Sequence, residues 1–421
     1  MDRRPAGGRR GGARAGESGR AGTVAMTARA RWALPLAAAC AVRLLPILFA
    51  DRVVADVQRY HRLAAHVLDA SWNPYQAPRL YPYPPVWVWV EAGSEWLSRR
   101  TGWSFAVLVK LPVLGADLAI VALLAGWGRR SGLGEAPAWL YALHPVSVLV
   151  SAFHGQFEAV ALAFVLVALL ALEAGRRDLS ALALASAIAL KSFPVLLLPI
   201  FLLAPGLAGR ARWRFAVLAL LPVVLLLIPY AIADWAALRR ELFGYGGIAD
   251  LGWIGFWRGL RWLHTGVLVH SESPYWGVLV PLSKVLTLAA EGALFAAIGL
   301  RRGRWTPPEA CLAVLLAFLV FYGSLSAQYL LWVVPLGTMR PDRFAAVHGV
   351  VSTLALVGLY SFLAPGILYS SPSPALLSRP QWGALWVVGT GAVLLASAGW
   401  LADVVARGVA RSKAGTEPPA R

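Results

Sequence analysis

Apolar runs long enough to cross a membrane recur along almost the whole chain, and short polar segments separate them. The hydrocarbon core of a bilayer is about 30 Å thick, so a spanning helix needs roughly 20 apolar residues. A scan at that length predicts about twelve spans, within a range of about 10 to 13. The predicted spans are 33–50, 104–128, 136–153, 157–174, a short pair at 179–190 and 193–208, then 215–233, 275–299, 308–323, 328–339, 344–363 and 382–406. With 58% hydrophobic residues and a mean hydropathy of +0.63, the chain is predicted to be an all-α, polytopic transmembrane helix bundle and not a soluble protein.

The predicted bundle is one domain, residues 33–406, between two basic tails. Residues 1–32 are rich in Gly, Ala and Arg with few large apolar side chains, which predicts disorder, and Met26 offers a second start of translation. Residues 407–421 form the other tail. Residues 85–98 are apolar but short and interrupted by two glutamates, so they are predicted as a helix lying at the membrane surface.

The formal net charge of +18 indicates membrane orientation and not nucleic-acid binding. The arginines lie in short clusters between apolar runs. If the N-terminus is cytoplasmic, every short loop on the cytoplasmic side carries at least two basic residues, as the positive-inside bias requires. We therefore predict a multi-pass protein of the cell membrane with both tails in the cytoplasm. Residues 51–103 are then a large first loop on the extracytoplasmic face, carrying short helices.

This first loop collects acids, bases, aromatic residues and prolines between two hydrophobic stretches. A helix predicted over about 55 to 70 would place Asp56 and Tyr60 on one face, because residues three and four apart are neighbours on a helix. Further along, Tyr81 and Tyr83 lie in a proline-rich stretch, YPYPP, which predicts a stiff, non-helical connection. The alternative is an ordinary outer loop whose aromatic residues lie at the level of the lipid headgroups.

Two further polar clusters lie at the predicted outer ends of spans. His154, Gln156 and Glu158 begin the fourth span, where a glutamate is costly unless it faces protein or water. The alternatives are a polar cluster that satisfies helix-terminal amides, or metal binding by His154 and Glu158, spaced one helical turn apart. Lys191 lies at the tip of the short helix pair, where it would suit a phosphate or extend to the membrane interface.

The remaining candidates come from the C-terminal half of the chain. Gln328 and Tyr329 open the tenth span in the stretch SLSAQYLLW, although helix packing alone could account for this pattern. Segment 234–274 is rich in Trp and Gly and is either an interfacial belt or a mobile cover over a lipid or sugar. Its arginines, including Arg258, are either surface charge or a cradle for phosphate. The sequence contains no motif of nucleotide-driven transport, zinc proteolysis or serine hydrolysis.

Several of these stretches, taken in order, resemble the GT-C class of integral-membrane glycosyltransferases, specifically the GPI mannosyltransferase I type and glycosyltransferase family 87. The matching stretches are ADVQRYHRLA with NPY and YPYPP, then KLPVLGADLAI, LHPVSVLVSAFHGQFEAVAL, ALASAIALKSFPVLLLPI and SLSAQYLLWVVPL. The resemblance implies a GT-C fold and inverting transfer of a hexose, most simply mannose. The donor would be a polyprenyl-phosphate sugar. The acceptor would be an extracytoplasmic hydroxyl of a lipid, a glycolipid, a lipoglycan or a protein.

The resemblance also implies roles for individual residues. Asp56 falls on the first-loop acid of the class and would be the general base. Lys191 matches the lysine of a K-x-x-P motif and would stabilise the departing phosphate, with Arg258 as a second candidate. The other residues expected to bind substrate are Tyr60, Tyr81, Tyr83, His154, Gln156, Glu158, Gln328 and Tyr329.

One departure from the family pattern concerns metal binding. Many relatives carry a second acid one or two residues after the first, but Val57 and Gln58 follow Asp56 here. Asp51 is five residues away and would point elsewhere. The resemblance therefore leaves dependence on a divalent cation such as Mg²⁺ or Mn²⁺ open, and we assign no metal ligands.

Two other functional classes compete with an enzyme. A transporter or lipid flippase would need polar residues near the bilayer midplane and, usually, two related halves. The sequence has charged residues chiefly near span ends and no internal symmetry, which favours the enzyme. An inactive scaffold of a membrane complex would tolerate Asp56→Ala without loss of function.

Overall fold

Helices, with short 3₁₀ turns between some of them, make up the regular structure of the chain. The computed structural model describes residues 33–48, 55–77, 81–269, 273–300, 305–369 and 379–414. The predicted disordered tail 1–32, Asp51 and residues 415–421 lie outside this part. The described helices are α1 (Ala33–Leu48), α2 (Ala55–Asp69), α3 (Val86–Thr101), α4 (Phe105–Arg130), α5 (Ala136–Ala142), α6 (Pro145–His154), α7 (Glu158–Glu173), α8 (Arg177–Leu190), α9 (Phe193–Leu203), α10 (Gly209–Leu238), α11 (Gly252–Thr265), α12 (Trp276–Leu300), α13 (Pro307–Phe321), α14 (Val334–Met339), α15 (Arg343–Leu363) and α16 (Pro380–Ala414).

The helix lengths confirm a multi-pass membrane protein. Within the described ranges, α4, α10, α12, α15 and α16 are long and apolar enough to span a bilayer, and the bent pair α5 and α6 would make a sixth span. Other predicted spans are shorter helices, such as α1, α9 and α13. The predicted tenth span, 328–339, is a 3₁₀ turn, Ala327–Leu331, followed by the six-residue α14. The total of about twelve spans therefore stays a prediction.

The two short helices predicted in the first loop are present. Helix α2 covers the expected stretch and carries Asp56 in its first turn, where a carboxylate interacts favourably with the helix dipole. Helix α3 covers the predicted surface helix and ends at Gly102, whose φ of 74° is the left-handed conformation that glycine adopts without steric cost. Between them, Asn73 accepts a hydrogen bond from the Tyr75 amide and opens a short 3₁₀ turn.

The bend between α5 and α6 is 43° and is stabilised by a buried arginine. Arg43 of α1 donates from Nη1 to the Ala142 carbonyl at 2.7 Å and from Nη2 to the Ser147 hydroxyl at 2.6 Å. Its Nε lies 3.1 Å from Oδ2 of Asp117 on α4. A helix break frees backbone carbonyls that must be satisfied inside a membrane protein, and Arg43 supplies the donor. The bend is therefore fixed by two neighbouring helices, α1 through Arg43 and α4 through Asp117.

The core of the bundle surrounds α7, which packs against α4 and α8, while α16 packs against α11, α13 and α15. An antiparallel bridge between Leu251 and Leu325 joins the segment before α11 to the segment after α13. This bridge and the end of α6 bring the polar stretches of the two halves of the chain to one place.

Candidate active site

The centre of the polar region is the carboxylate of Asp56. Its Oδ2 accepts hydrogen bonds from Nε2 of His154 at 2.9 Å and from the side-chain amide of Gln156 at 2.5 Å. Its Oδ1 has a weaker contact, 3.4 Å from Nη1 of the exposed Arg59. The side chain of Asp56 is 21% exposed. One oxygen is therefore held by two donors, and the side chain as a whole stays partly exposed.

The hydrogen bonds around His154 fix its orientation. An ionised carboxylate only accepts hydrogen bonds, so Nε2 of His154 carries a proton that it donates to Asp56. On the other side of the ring, Nδ1 lies 3.0 Å from the hydroxyl of Tyr360, within hydrogen-bond distance. Gln156 is oriented in the same way, because its Oε1 accepts from the hydroxyl of Tyr60 at 3.0 Å. Both donors to Asp56 are thus held in place by a tyrosine.

The surroundings of Asp56 keep it ionised. Burial alone would raise the pKa of its carboxyl, but the hydrogen bond and charge of His154, with the charges of Arg59 and Lys191, lower the pKa below its ordinary value. A carboxylate with a lowered pKa is ionised throughout the neutral range, which a proton acceptor requires.

The turn that presents His154 and Gln156 depends on Gly155. Its φ is 81°, and a Cβ added there would lie 2.7 Å from Cε of Lys110 and 3.0 Å from a methyl group of Val57. Lys110 also donates to the Phe153 carbonyl at 3.0 Å, which satisfies the end of α6. The backbone reverses at this glycine, so the side chains on both sides of it reach Asp56.

This turn corrects the predicted relationship between His154 and Glu158. The two residues do not lie one turn apart on one helix, because α6 ends at His154 and α7 begins at Glu158. His154 contacts Asp56, whereas Glu158 forms a buried ion pair with Lys191. The geometry therefore does not support these two residues as a metal-binding pair.

Lys191 and Glu158 form a second polar group beside Asp56. Lys191 ends α8 in an extended conformation, and its ammonium lies 4.6 Å from the ring centre of Tyr83 and 4.2 Å from that of Phe157. The side chains of Lys191 and Glu158 are 4% and 0% exposed. Lys191 is thus a buried cation between a carboxylate and two aromatic faces, and it does not extend to the membrane interface.

The other candidates lie around these two groups. Tyr81 packs edge-on against Tyr83, and its hydroxyl donates to the Pro84 carbonyl at 2.7 Å. Gln328 is buried in the 3₁₀ turn, where Tyr329 stacks on Trp332 at 4.3 Å. The 3₁₀ turn that carries Gln328 and Tyr329 packs against α7 and the end of α6. Tyr81 contacts Tyr83 and the Pro84 carbonyl, which are its own neighbours in the chain.

Arg258 contacts different residues from those that Lys191 contacts. Its Nε donates to the Val269 carbonyl at 2.7 Å, and its Nη1 lies 3.6 Å from Oδ1 of Asp250. This guanidinium is therefore already bound by protein groups. Arg258 and Asp56 both act on the pKa of Asp250, which Arg258 lowers and Asp56 raises.

Two residues of this region were absent from the sequence-based candidates. Tyr360 lies in an apolar helix, α15, and contacts His154 from a distant part of the chain. Asp250 lies among glycines and tryptophans in segment 234–274, with no local motif to mark it. The available signal for Asp250 is an acid in a Gly-rich outer loop, whereas Tyr360 lies in an apolar helix with no local signal.

Groups of three or more His, Cys, Asp or Glu side chains able to hold a metal ion do not occur within the described ranges. Asp51, the nearest acid before Asp56 in the sequence, lies outside those ranges. The hydrogen bonds to Oδ2 of Asp56 come from side chains of the protein, His154 and Gln156.

Comparison with known proteins classifies the chain. The model of glycosyltransferase family 87 matches residues 81–326, which is more than half of the chain and begins after Asp56. No curated protein matches. Among solved structures, ArnT from Cupriavidus metallidurans bound to undecaprenyl phosphate is similar, with 16% identity over 91% of this chain and 78% of that chain and a TM-score of 0.45. The classification rests on the family model, and this membrane protein belongs to glycosyltransferase family 87.

Proposed function

We propose that the protein is an inverting hexosyltransferase that moves mannose from a polyprenyl-phosphate donor to a hydroxyl of a lipid-linked acceptor. The observation that carries the proposal is the carboxylate of Asp56, which is held at Oδ2 by His154 and Gln156 and belongs to a side chain that is 21% exposed. A buried cation, Lys191, lies in the same region. A glycosyl transfer needs both a proton acceptor and a group that stabilises a leaving phosphate.

In this mechanism the acceptor oxygen attacks the anomeric carbon as the bond from that carbon to the phosphate oxygen breaks. The hydroxyl proton passes to Oδ1 of Asp56, and the bonding electron pair leaves with the polyprenyl phosphate. Because His154 and Gln156 occupy Oδ2, they orient the carboxylate without consuming the oxygen that takes the proton. General-base assistance of this kind contributes about 10²–10⁴-fold to a rate.

Lys191 would interact with the phosphate as negative charge grows on it. Glu158 balances the lysine charge before the donor binds, and the rings of Tyr83 and Phe157 limit where the ammonium can move. Tyr60, Tyr81, Gln328 and Tyr329 supply hydroxyl, amide and aromatic groups of the kinds that bind sugars. Arg258 is kept as a second, more distant basic residue.

The membrane topology that we propose for the protein follows from the distribution of its basic residues. We place both termini in the cytoplasm and the site on the extracytoplasmic face, where the first loop and segment 234–274 meet. The acceptor would then be a lipid or glycolipid of the outer leaflet. A transporter function is not proposed, because the chain belongs to a glycosyltransferase family.

The test is transfer of radiolabelled mannose from polyprenyl-phosphate-mannose into membrane lipid by purified protein. Asp56→Asn should reduce the rate by about 10²-fold or more, because the amide retains the shape of the side chain but is not a proton acceptor. Asp69→Asn is the matched control, since Asp69 lies on the same helix in an exposed ion pair with Arg99. Equal rates for Asp56→Asn and wild type would remove Asp56 as the base. Activity with another hexose in place of mannose would retain the reaction and change the sugar.

A further inference from the structure

The segment 244–251, between α10 and α11, is fixed against the stretch that follows α13. The backbone amide of Leu251 donates to the Leu325 carbonyl at 2.9 Å, and that of Ile254 donates to the Gly323 carbonyl at 3.1 Å. Gly247 lies so close to Ser324 that an added Cβ would approach the Ser324 carbonyl oxygen to 2.5 Å. The segment is therefore docked on the protein and is not a freely moving cover.

Strained backbone directly precedes the one acid of this segment. Ala249 has a φ of 55°, and among the described residues it is the one non-glycine residue with positive φ. Such a conformation is unfavourable for a residue with a Cβ and persists where its surroundings enforce it. Here Trp386 donates from its indole nitrogen to the Asp250 carbonyl at 2.7 Å, and Arg258 contacts the Ala249 carbonyl at 3.5 Å. Backbone contacts on both sides therefore fix the direction of Asp250.

The side chain of Asp250 is partly exposed, and it interacts electrostatically with Asp56. It is 24% exposed, with Arg258 3.6 Å away. Burial raises its pKa to about 6, Arg258 opposes that rise, and the charges of Asp56, His154 and Arg59 also act on it. The charge of Lys191 in turn lowers the pKa of Asp56. Asp250 thus provides a second carboxylate for the site, on an element that does not carry Lys191.

We propose that Asp250 binds a hydroxyl group of the acceptor and holds it beside Asp56. An ionised carboxylate accepts hydrogen bonds from hydroxyl groups, and Arg258 lies 3.6 Å from Oδ1 of Asp250, where its charge favours one orientation of that carboxylate. Lys191 would engage the donor phosphate, so the two substrates meet at Asp56. This assignment rests on the proposed glycosyl transfer and adds to it the residue that selects a polyhydroxylated acceptor.

The test compares Asp250→Asn, Asp250→Glu and Asp234→Asn with wild type, using polyprenyl-phosphate-mannose and a membrane-lipid extract at varied concentrations. Asp234→Asn is the matched control, because Asp234 lies near the end of α10 and accepts a hydrogen bond from the Ala237 amide at 2.9 Å. Asp250→Asn should raise the half-saturating amount of acceptor extract about tenfold or more and leave that of the donor within about twofold. Asp250→Glu, which keeps the charge, should restore part of the acceptor affinity.

Each result has one meaning. A selective change in acceptor saturation supports the proposal, because general damage to the fold would change the saturation by donor and acceptor together. Equal saturation curves for Asp250→Asn and Asp234→Asn, or a parallel loss for both substrates, would overturn the role of Asp250 and leave the proposed transfer intact. A wild-type protein that transfers no sugar from the donor would overturn the proposed function, and this assignment with it.

Discussion

The buried pair of Lys191 and Glu158 allows its structural role to be separated from its role in catalysis. Removing one partner of a buried ion pair typically costs about 3–5 kcal/mol, because the remaining charge is left uncompensated, whereas replacing both with uncharged groups of similar volume is often neutral. Both side chains are almost fully buried, at 4% and 0% exposed, so solvent screens the pair little. We therefore expect Lys191→Met alone to destabilise the protein strongly, and the double variant Lys191→Met, Glu158→Gln to regain most of that stability.

The double variant should regain stability without regaining transferase activity. If Lys191 stabilises the leaving phosphate, the double variant lacks that cation and should stay about 10²–10³-fold slower than wild type, which is the usual loss when one group that stabilises transition-state charge is removed. Unfolding temperature and mannose transfer, measured on the same detergent-purified samples, give the two quantities. Arg214→Met is the control, because its ion pair with Asp178 is exposed, at 69% and 53%, and worth at most about 1 kcal/mol.

The decisive comparison is the activity of the double variant. Recovery of both stability and transfer would show that Lys191 acts only by balancing Glu158, and the proposed contact with phosphate would be wrong. A double variant that remains as unstable as Lys191→Met would contradict the description of the two residues as one compensated pair.

Two further outcomes follow from the backbone turn and from the second acid. Gly155→Ala should reduce transfer strongly, because its Cβ would lie 2.7 Å from Lys110 in a left-handed backbone. Gly175→Ala is the control: its φ is 73° but the space around it is open, so it should cost only the backbone strain of about 1–2 kcal/mol. Unfolding temperature and activity of the two variants check this prediction. Because burial raises the pKa of Asp250 to about 6, lowering the pH through that value protonates the carboxylate and should weaken saturation by acceptor. Asp250→Asn should remove this part of the pH dependence, and a pH profile unchanged by that substitution would contradict the assigned role.

The sequence predicted several helices and the polar residues at their ends. The run that contains Asp56 predicted a short helix with Asp56 and Tyr60 on one face, and in the structure both side chains contact Gln156. The apolar runs predicted a helical membrane protein, because hydropathy and length decide that class directly. The motif around Lys191 predicted a break between two short helices, which the structure has between α8 and α9.

The contacts inside the site could not be predicted in the same way. A regular helix through His154 and Glu158 would have put them on one face, and the left-handed conformation of Gly155 reverses that arrangement. Glycine permits this conformation but does not require it, so the residue type alone does not decide where the helix ends. The pairing of Lys191 with Glu158 likewise depends on how α7 and α8 pack, which local sequence does not specify.

The residues of the site share a structural origin, which explains why some were found and others were missed. Polar groups come together where helices are interrupted: between α6 and α7 at Gly155, after α8 at Lys191, and between α13 and the 3₁₀ turn at Ala327–Leu331. In a membrane, interruptions are tolerated where protein groups satisfy the freed backbone, and their Pro, Gly and polar residues leave a visible pattern in the sequence. Asp250 joins the site through a backbone bridge to Leu325, a contact between distant segments that leaves no such pattern. A carboxylate supplied in this way can change between relatives without disturbing the helices that hold Asp56, which is the property expected of a residue that sets acceptor specificity.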